Sequence, residues 1–151
     1  MTDWNPRNVV VGVDGSEQGQ RAAAVAAGIS RAHQARLHVI TVVRPPEGWW
    51  GVVGSPPPAD ALAASMEHAQ RTVLDQTLEG LDTQGFEVTS SEEIGDPSSA
   101  LIDYCTRVHA DLLVVGRRGA GMVERIVLGS VADRLAHHAP CALLIVPASP
   151  E

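Results

Sequence analysis

Apolar residues along this chain fall into two rhythms that alternate from one end to the other. Val9-Val10-Val11-Gly12-Val13 is a short β-branched run, ended by the turn and cap signal Asp14-Gly15-Ser16. An alanine-rich stretch at 17–34 follows, a good helix former whose small side chains allow close packing on a sheet. Residues 37–43 predict a second strand, closed by Pro45 and Pro46. Between 60 and 81, Leu62, Met66, Ala69, Val73 and Leu74 keep an i, i+3, i+4 spacing and predict a helix. A weaker third strand begins at Phe86-Glu87-Val88-Thr89. Asp96-Pro97 supplies an N-cap and a proline at the first helical position. Leu101, Tyr104, Cys105 and Val108 form the buried stripe of that helix. Residues 112–115 predict strand four, 130–138 a short helix stopped by Pro140, and 142–146 strand five, stopped by Pro147.

Several of these strands are apolar throughout, as expected when helices cover both faces of a parallel sheet. The pattern predicts one open, doubly wound α/β domain over residues 1–151, with no internal repeat. A chain of 151 residues is long enough to bury roughly 70% of its unfolded surface without a disulfide or a metal. Residues 44–58, with five prolines, three glycines and the adjacent Trp49 and Trp50, read as a loop within that domain. The tryptophans fit either a lid or partner surface, or a cover for the core's edge. In such sheets ligands bind outside the carboxyl ends of the strands, where strand order reverses. Strands one and four both end in candidate chemistry.

After strand four, Gly116-Arg117-Arg118-Gly119 and Gly121 lead to Gly129-Ser130-Val131 at a helix start. Glycines let a backbone approach a phosphate closely, and a helix N-terminus offers N–H groups and a positive dipole end. The same residues also fit a plain surface loop, with Ser130 as N-cap and Asp133 completing a capping box. Charge favours the anion reading. From Gly116 to Arg134, four arginines face only Glu124 and Asp133, in a chain whose formal net charge is −7. Asp14, at the end of strand one, fits a turn-forming cap and equally a contact to ribose hydroxyls or a nucleotide-bound Mg2+.

Composition removes other classes. The acidic balance argues against a nucleic-acid or anionic membrane surface, and the apolar runs are too short to span a bilayer. The N-terminus lacks a signal-peptide layout, so the expected location is cytosolic. All eleven basic residues are arginine, which excludes a Schiff-base lysine, a Walker A lysine and a kinase phosphate-binding lysine. Cys105 and Cys141 read as small buried side chains, and the six histidines show no zinc spacing. Ser16, Ser98 and Ser99 follow turn signals and lack a nucleophile elbow.

Gly116-x2-Gly119-x9-Gly129-Ser130 resembles the ATP-binding signature of the universal stress proteins. Residues 9–16 resemble that family's first strand and turn, and Leu128-Gly129-Ser130-Val131 with His138-Ala139-Pro140-Cys141 its closing helix and lead-in to strand five. The resemblance implies strand order 3-2-1-4-5, ATP lying across strands one and four, and a homodimer formed through the last strand. It places Gly12 and Asp14 on the ribose and adenine side and the backbone near Val42 at the adenine edge. Gly116, Arg117, Gly119, Gly129, Ser130 and Val131 would hold the phosphates, with Arg118 and Gly121 beside them. The expected function is a nucleotide-responsive stress regulator with an unidentified protein partner and slow ATP turnover at most. The alternative is a homodimeric interaction module whose site holds no nucleotide. A flavin or dinucleotide protein is disfavoured, because its glycine fingerprint would follow strand one.

Overall fold

Every β-branched run enters one sheet. The structure, a computed structural model, describes residues 3–44, 59–117 and 128–147. The strands are β1 (Asn8–Val13), β2 (Arg36–Val43), β3 (Val88–Ile94), β4 (Leu112–Gly116) and β5 (Ala142–Val146). They pair in parallel in the order β3-β2-β1-β4-β5, the order that the resemblance implied. The helices are α1 (Glu17–His33), α2 (Ala59–Glu79), α3 (Pro97–Val108) and α4 (Ser130–His138).

Alternation along the strands sorts the core into two layers. Val9, Val11 and Val13 of β1 pack with Leu37, Val39 and Val114 against the alanines of α1 and Leu74 of α2. Val10, Ile40, Leu113 and Val115 face the other way, against Leu101 and Cys105 of α3 and Ala132 and Leu135 of α4. Ala22, Ala23, Ala26 and Ala27 are nearly inaccessible, which bears out the close-packing reading of the alanine-rich helix. Helices that follow β1 and β2 cover one face, and those that follow β3 and β4 cover the other. The direction of winding therefore reverses between β1 and β4.

The third strand begins at Val88, two residues later than expected, and runs on to Ile94. Its segment Thr89-Ser90-Ser91-Glu92-Glu93 is polar because β3 is an edge strand with only β2 beside it. The α3 start is as predicted: Asp96 caps the helix by accepting from Ser99 N–H at 3.1 Å, with proline in the first turn. Burial pushes the Cys105 thiol up to about 12, with Cys141 adding to it, so Cys105 behaves as a small apolar side chain.

At the amino end of the α3 face one histidine is buried and fully occupied. His38 Nδ1 lies 3.0 Å from Tyr104 Oη and 3.1 Å from Thr89 Oγ1, while Nε2 lies 3.1 Å from Asn8 Oδ1. This fits a neutral ring that donates from Nε2 to Asn8 and accepts at Nδ1 from the neighbouring hydroxyl pair of Tyr104 and Thr89, its single lone pair taking one proton at a time. Burial holds the His38 pKa below its ordinary value, and the nearby Arg36 charge lowers it further.

Candidate functional site

At the carboxyl end of the same face the packing opens into a cavity of about 340 Å3. That is within the size range of small-molecule sites. β1 supplies Gly12 and Val13, β2 supplies Ile40 and Val42, and β4 supplies Val115 and Gly116. Pro97 and Leu101 of α3 form one wall, and the start of α4 forms another. The cavity therefore spans the junction between β1 and β4 where the winding reverses.

Gly12 keeps the floor low. A Cβ there would stand 3.0 and 3.3 Å from the two Leu101 methyl groups and 3.5 Å from Val115 Cγ1. Asp14 lines the cavity and is also the turn former that the sequence allowed. Its Oδ1 accepts from Ser16 N–H at 3.0 Å and from Ser16 Oγ at 2.5 Å. Ser16 Oγ in turn accepts from Gly19 N–H at 3.1 Å and caps α1. Gly15 makes this turn possible with φ of +85°.

The start of α4 departs from one expectation. Gly129, not Ser130, is the N-cap, and no side chain caps the helix. Gly129 N–H donates to the Arg117 carbonyl at 2.8 Å, which holds the glycine in an extended conformation. Ser130 is thereby drawn into the first turn, and Asp133 stands 3.9 Å from His137 instead of closing a capping box. Among the described residues, no side chain caps the first N–H groups of α4 at the cavity wall formed by Gly129, Ser130, Val131 and Ala132. Arg117, which also lines the cavity, has its backbone N–H donated to Val146 at 2.8 Å. Its Nε is buried and has no hydrogen-bond partner among the described residues.

Eight expected site residues thus meet around one cavity: Gly12, Asp14, Val42, Gly116, Arg117, Gly129, Ser130 and Val131. Arg118, Gly119 and Gly121 lie outside the described residues, as do Trp49 and Trp50. Sequence reasoning missed Ile40, Pro97 and Leu101. Ile40 had a usable signal, since strand alternation puts it on the same face as Val42. Leu101 had none beyond a buried-stripe position. Among the described residues there is no group of three or more His, Cys, Asp or Glu able to hold a metal ion.

Asp96, beside the cavity-lining Pro97, does more than cap α3. Its Oδ1 accepts from Arg44 at 2.6 Å, and its Oδ2 pairs with Arg134 of α4 at 3.2 Å. Hydrogen bonds from the Ser98 hydroxyl and Ser99 N–H, with the Arg134 charge, hold its carboxyl at about 2. It is ionised at any physiological pH.

Comparison with known proteins follows the same outline. A family model described as "Universal stress protein family" matches residues 5–147. A Thermus aquaticus protein named "Universal stress protein in QAH/OAS sulfhydrylase 3'region" is 31% identical over 141 residues, covering 93% of this chain and 98% of that protein. The structure of universal stress protein UspA from Lactobacillus plantarum superposes with a TM-score of 0.72 at 26% identity, covering 95% of this chain and 99% of that one. A universal stress protein solved in complex with cAMP superposes with a TM-score of 0.68 at 28% identity, covering 97% of this chain and all of that one. No helix of the described residues is long and apolar enough to cross a membrane.

Proposed function

The chain belongs to the universal stress protein family, and on that basis we propose that it binds ATP at the carboxyl ends of β1 and β4. One observation carries the proposal: the start of α4 and the Nε of Arg117, neither with a side-chain partner among the described residues, border a cavity floored by Gly12. Backbone N–H groups at a helix start and an arginine with a free donor are the chemistry that phosphate oxygens require. The cAMP complex of a relative supports a nucleotide as the ligand class.

In this reading Gly12, Ile40, Val42 and Leu101 receive the base and ribose. Gly116, Arg117, Gly129, Ser130 and Val131 hold the phosphates, with Arg118, Gly119 and Gly121 completing the loop. Asp14 faces the ribose or a Mg2+ carried by the nucleotide. Bound ATP supplies charge and shape for a regulatory partner to read, and the protein acts in the cytosol as a nucleotide-responsive stress regulator. Turnover stays well below the roughly 1–100 per second of kinases, because among the described residues the one carboxylate lining the cavity, Asp14, is engaged by Ser16, and Asp96 beside it is paired with Arg44 and Arg134.

Protein purified without added nucleotide is expected to release ATP on denaturation, identified by mass spectrometry. ATP at 100 times its Kd should add about 2.7 kcal/mol of stability. No released ligand and no shift at millimolar ATP would defeat the proposal. Gly119→Val is expected to abolish ATP binding with the fold intact, and unchanged affinity would reduce the glycine loop to a turn.

One observation favours a second reading, a dimeric interaction module. β5 is an edge strand whose five residues, Ala142–Val146, are all apolar, an exposed template for pairing with a second copy. A homodimer through this strand is compatible with either reading, and an empty site after purification would favour the module alone.

A further inference from the structure

Next to the lining residues Val42, Pro97 and Ser130 in the chain lies an ion-pair cluster that neither the glycine loop nor the helix start explains. Asp96 joins three elements: Arg44 two residues beyond Val42, its own α3, and Arg134 one turn into α4. Val42, Pro97 and Ser130, which line the cavity, stand two, one and four residues from these charges. Four residues of helix are about 6 Å of axial rise, within reach of an arginine side chain. A phosphate seated at the start of α4 would therefore compete directly with Asp96 for Arg134.

Two features make this exchange easy. Arg44 and Arg134 are 66% and 59% exposed, so packing does not lock either guanidinium in place. Asp96 also keeps other partners when the arginines leave. Ser98 Oγ at 2.7 Å, Ser99 N–H at 3.1 Å and Ser99 Oγ at 3.0 Å all donate to it. Building on the nucleotide reading above, we propose that Asp96 sets the charge selectivity of the cavity. By holding Arg44 and Arg134 it favours less charged nucleotides, and a triphosphate binds by drawing the arginines away.

The test compares AMP, ATP and adenosine binding by calorimetry in the full chain and in Asp96→Asn. Asparagine is as good an N-cap as aspartate, so α3 stays capped while both ion pairs lose their charge. The preference for ATP over AMP is expected to rise about three- to tenfold, as two exposed charge pairs allow. Adenosine affinity should stay within about twofold, since adenosine carries no charge to respond. Arg134→Gln should lower the ATP preference, and adding it to Asp96→Asn should remove the gain. A preference that stays the same or falls in Asp96→Asn would overturn the inference. So would an unchanged preference in Arg134→Gln, a variant that leaves the α3 cap untouched. If the natural chain binds neither nucleotide, the nucleotide reading fails and this inference with it. If it binds both and the variants leave the preference unmoved, only the role of Asp96 fails.

Discussion

The two ends of the α3 face of the sheet use polar groups in opposite ways. At the amino end, His38, Asn8, Thr89 and Tyr104 answer one another's hydrogen bonds, and His38 is sealed from water. At the carboxyl end, α4 starts without a side-chain cap and Arg117 Nε has no partner among the described residues. β2 runs through both, with His38 at one end, Ile40 between and Val42 in the cavity. A saturated polar cluster fixes packing, whereas donors without a partner among the described residues on a cavity wall are available to a ligand. The difference marks where chemistry can happen, without reference to any motif.

Substitution can break that contrast from either side. The largest effect is expected from Gly12→Val at the carboxyl end. Its branched side chain would fill the cavity floor and press on Leu101, lowering ATP affinity tenfold or more and costing about 1–3 kcal/mol of stability. Calorimetry and urea unfolding read the two effects. Unchanged affinity would place the ligand elsewhere. At the amino end, His38→Leu should cost about 1 kcal/mol by removing the hydrogen bonds to its part-buried partners while leaving ATP affinity as it was. A loss of binding in that variant would erase the division between the two ends.

A smaller effect follows from pH. The folded-state pKa of His38 is lowered, so the unfolded chain takes up the proton first, from about pH 6.5 downward. The contribution of the neutral ring is complete at neutral pH and shrinks as pH falls from 6.5 toward the lowered value. The loss is at most about 1.4 kcal/mol per pH unit. Urea midpoints at pH 7.5 and 5.5 should therefore differ more in the natural chain than in His38→Leu. Equal differences would mean that His38 is not the group responsible. The smallest effect is expected from Arg36→Gln, beside His38 but at the surface. It breaks an exposed pair with Glu87 worth less than about 1 kcal/mol. A larger change in the urea midpoint would tie that pair to the buried cluster.

That Gly12, Asp14 and Gly129 come to line one cavity was legible because glycines and turn formers act through their own backbones. Gly12 and Gly129 matter for lacking a side chain, and Asp14 closes its turn with a residue two positions away. The helix begins at Ser130 as expected, but the alternative reading of Ser130 as its cap does not hold, because a long-range bond from Gly129 to Arg117 makes the glycine the cap. Leu101 read only as core, since its second role as a wall depends on which strand end it meets. Asp96 read only as a cap, for its ion pairs join residues 52 and 38 positions away in the chain.

By itself the sequence determined the alternation of strands and helices, the two-sided burial of the sheet and the glycine frame after β4. Those follow from local conformational preference and from the period of apolar residues, which act within a few positions. Only the tertiary structure decided that His38 is saturated while Arg117 Nε has no partner among the described residues, and that one carboxylate holds two distant arginines. Whether a polar group is satisfied depends on what the fold brings within about 3 Å of it, a distance unrelated to separation along the chain.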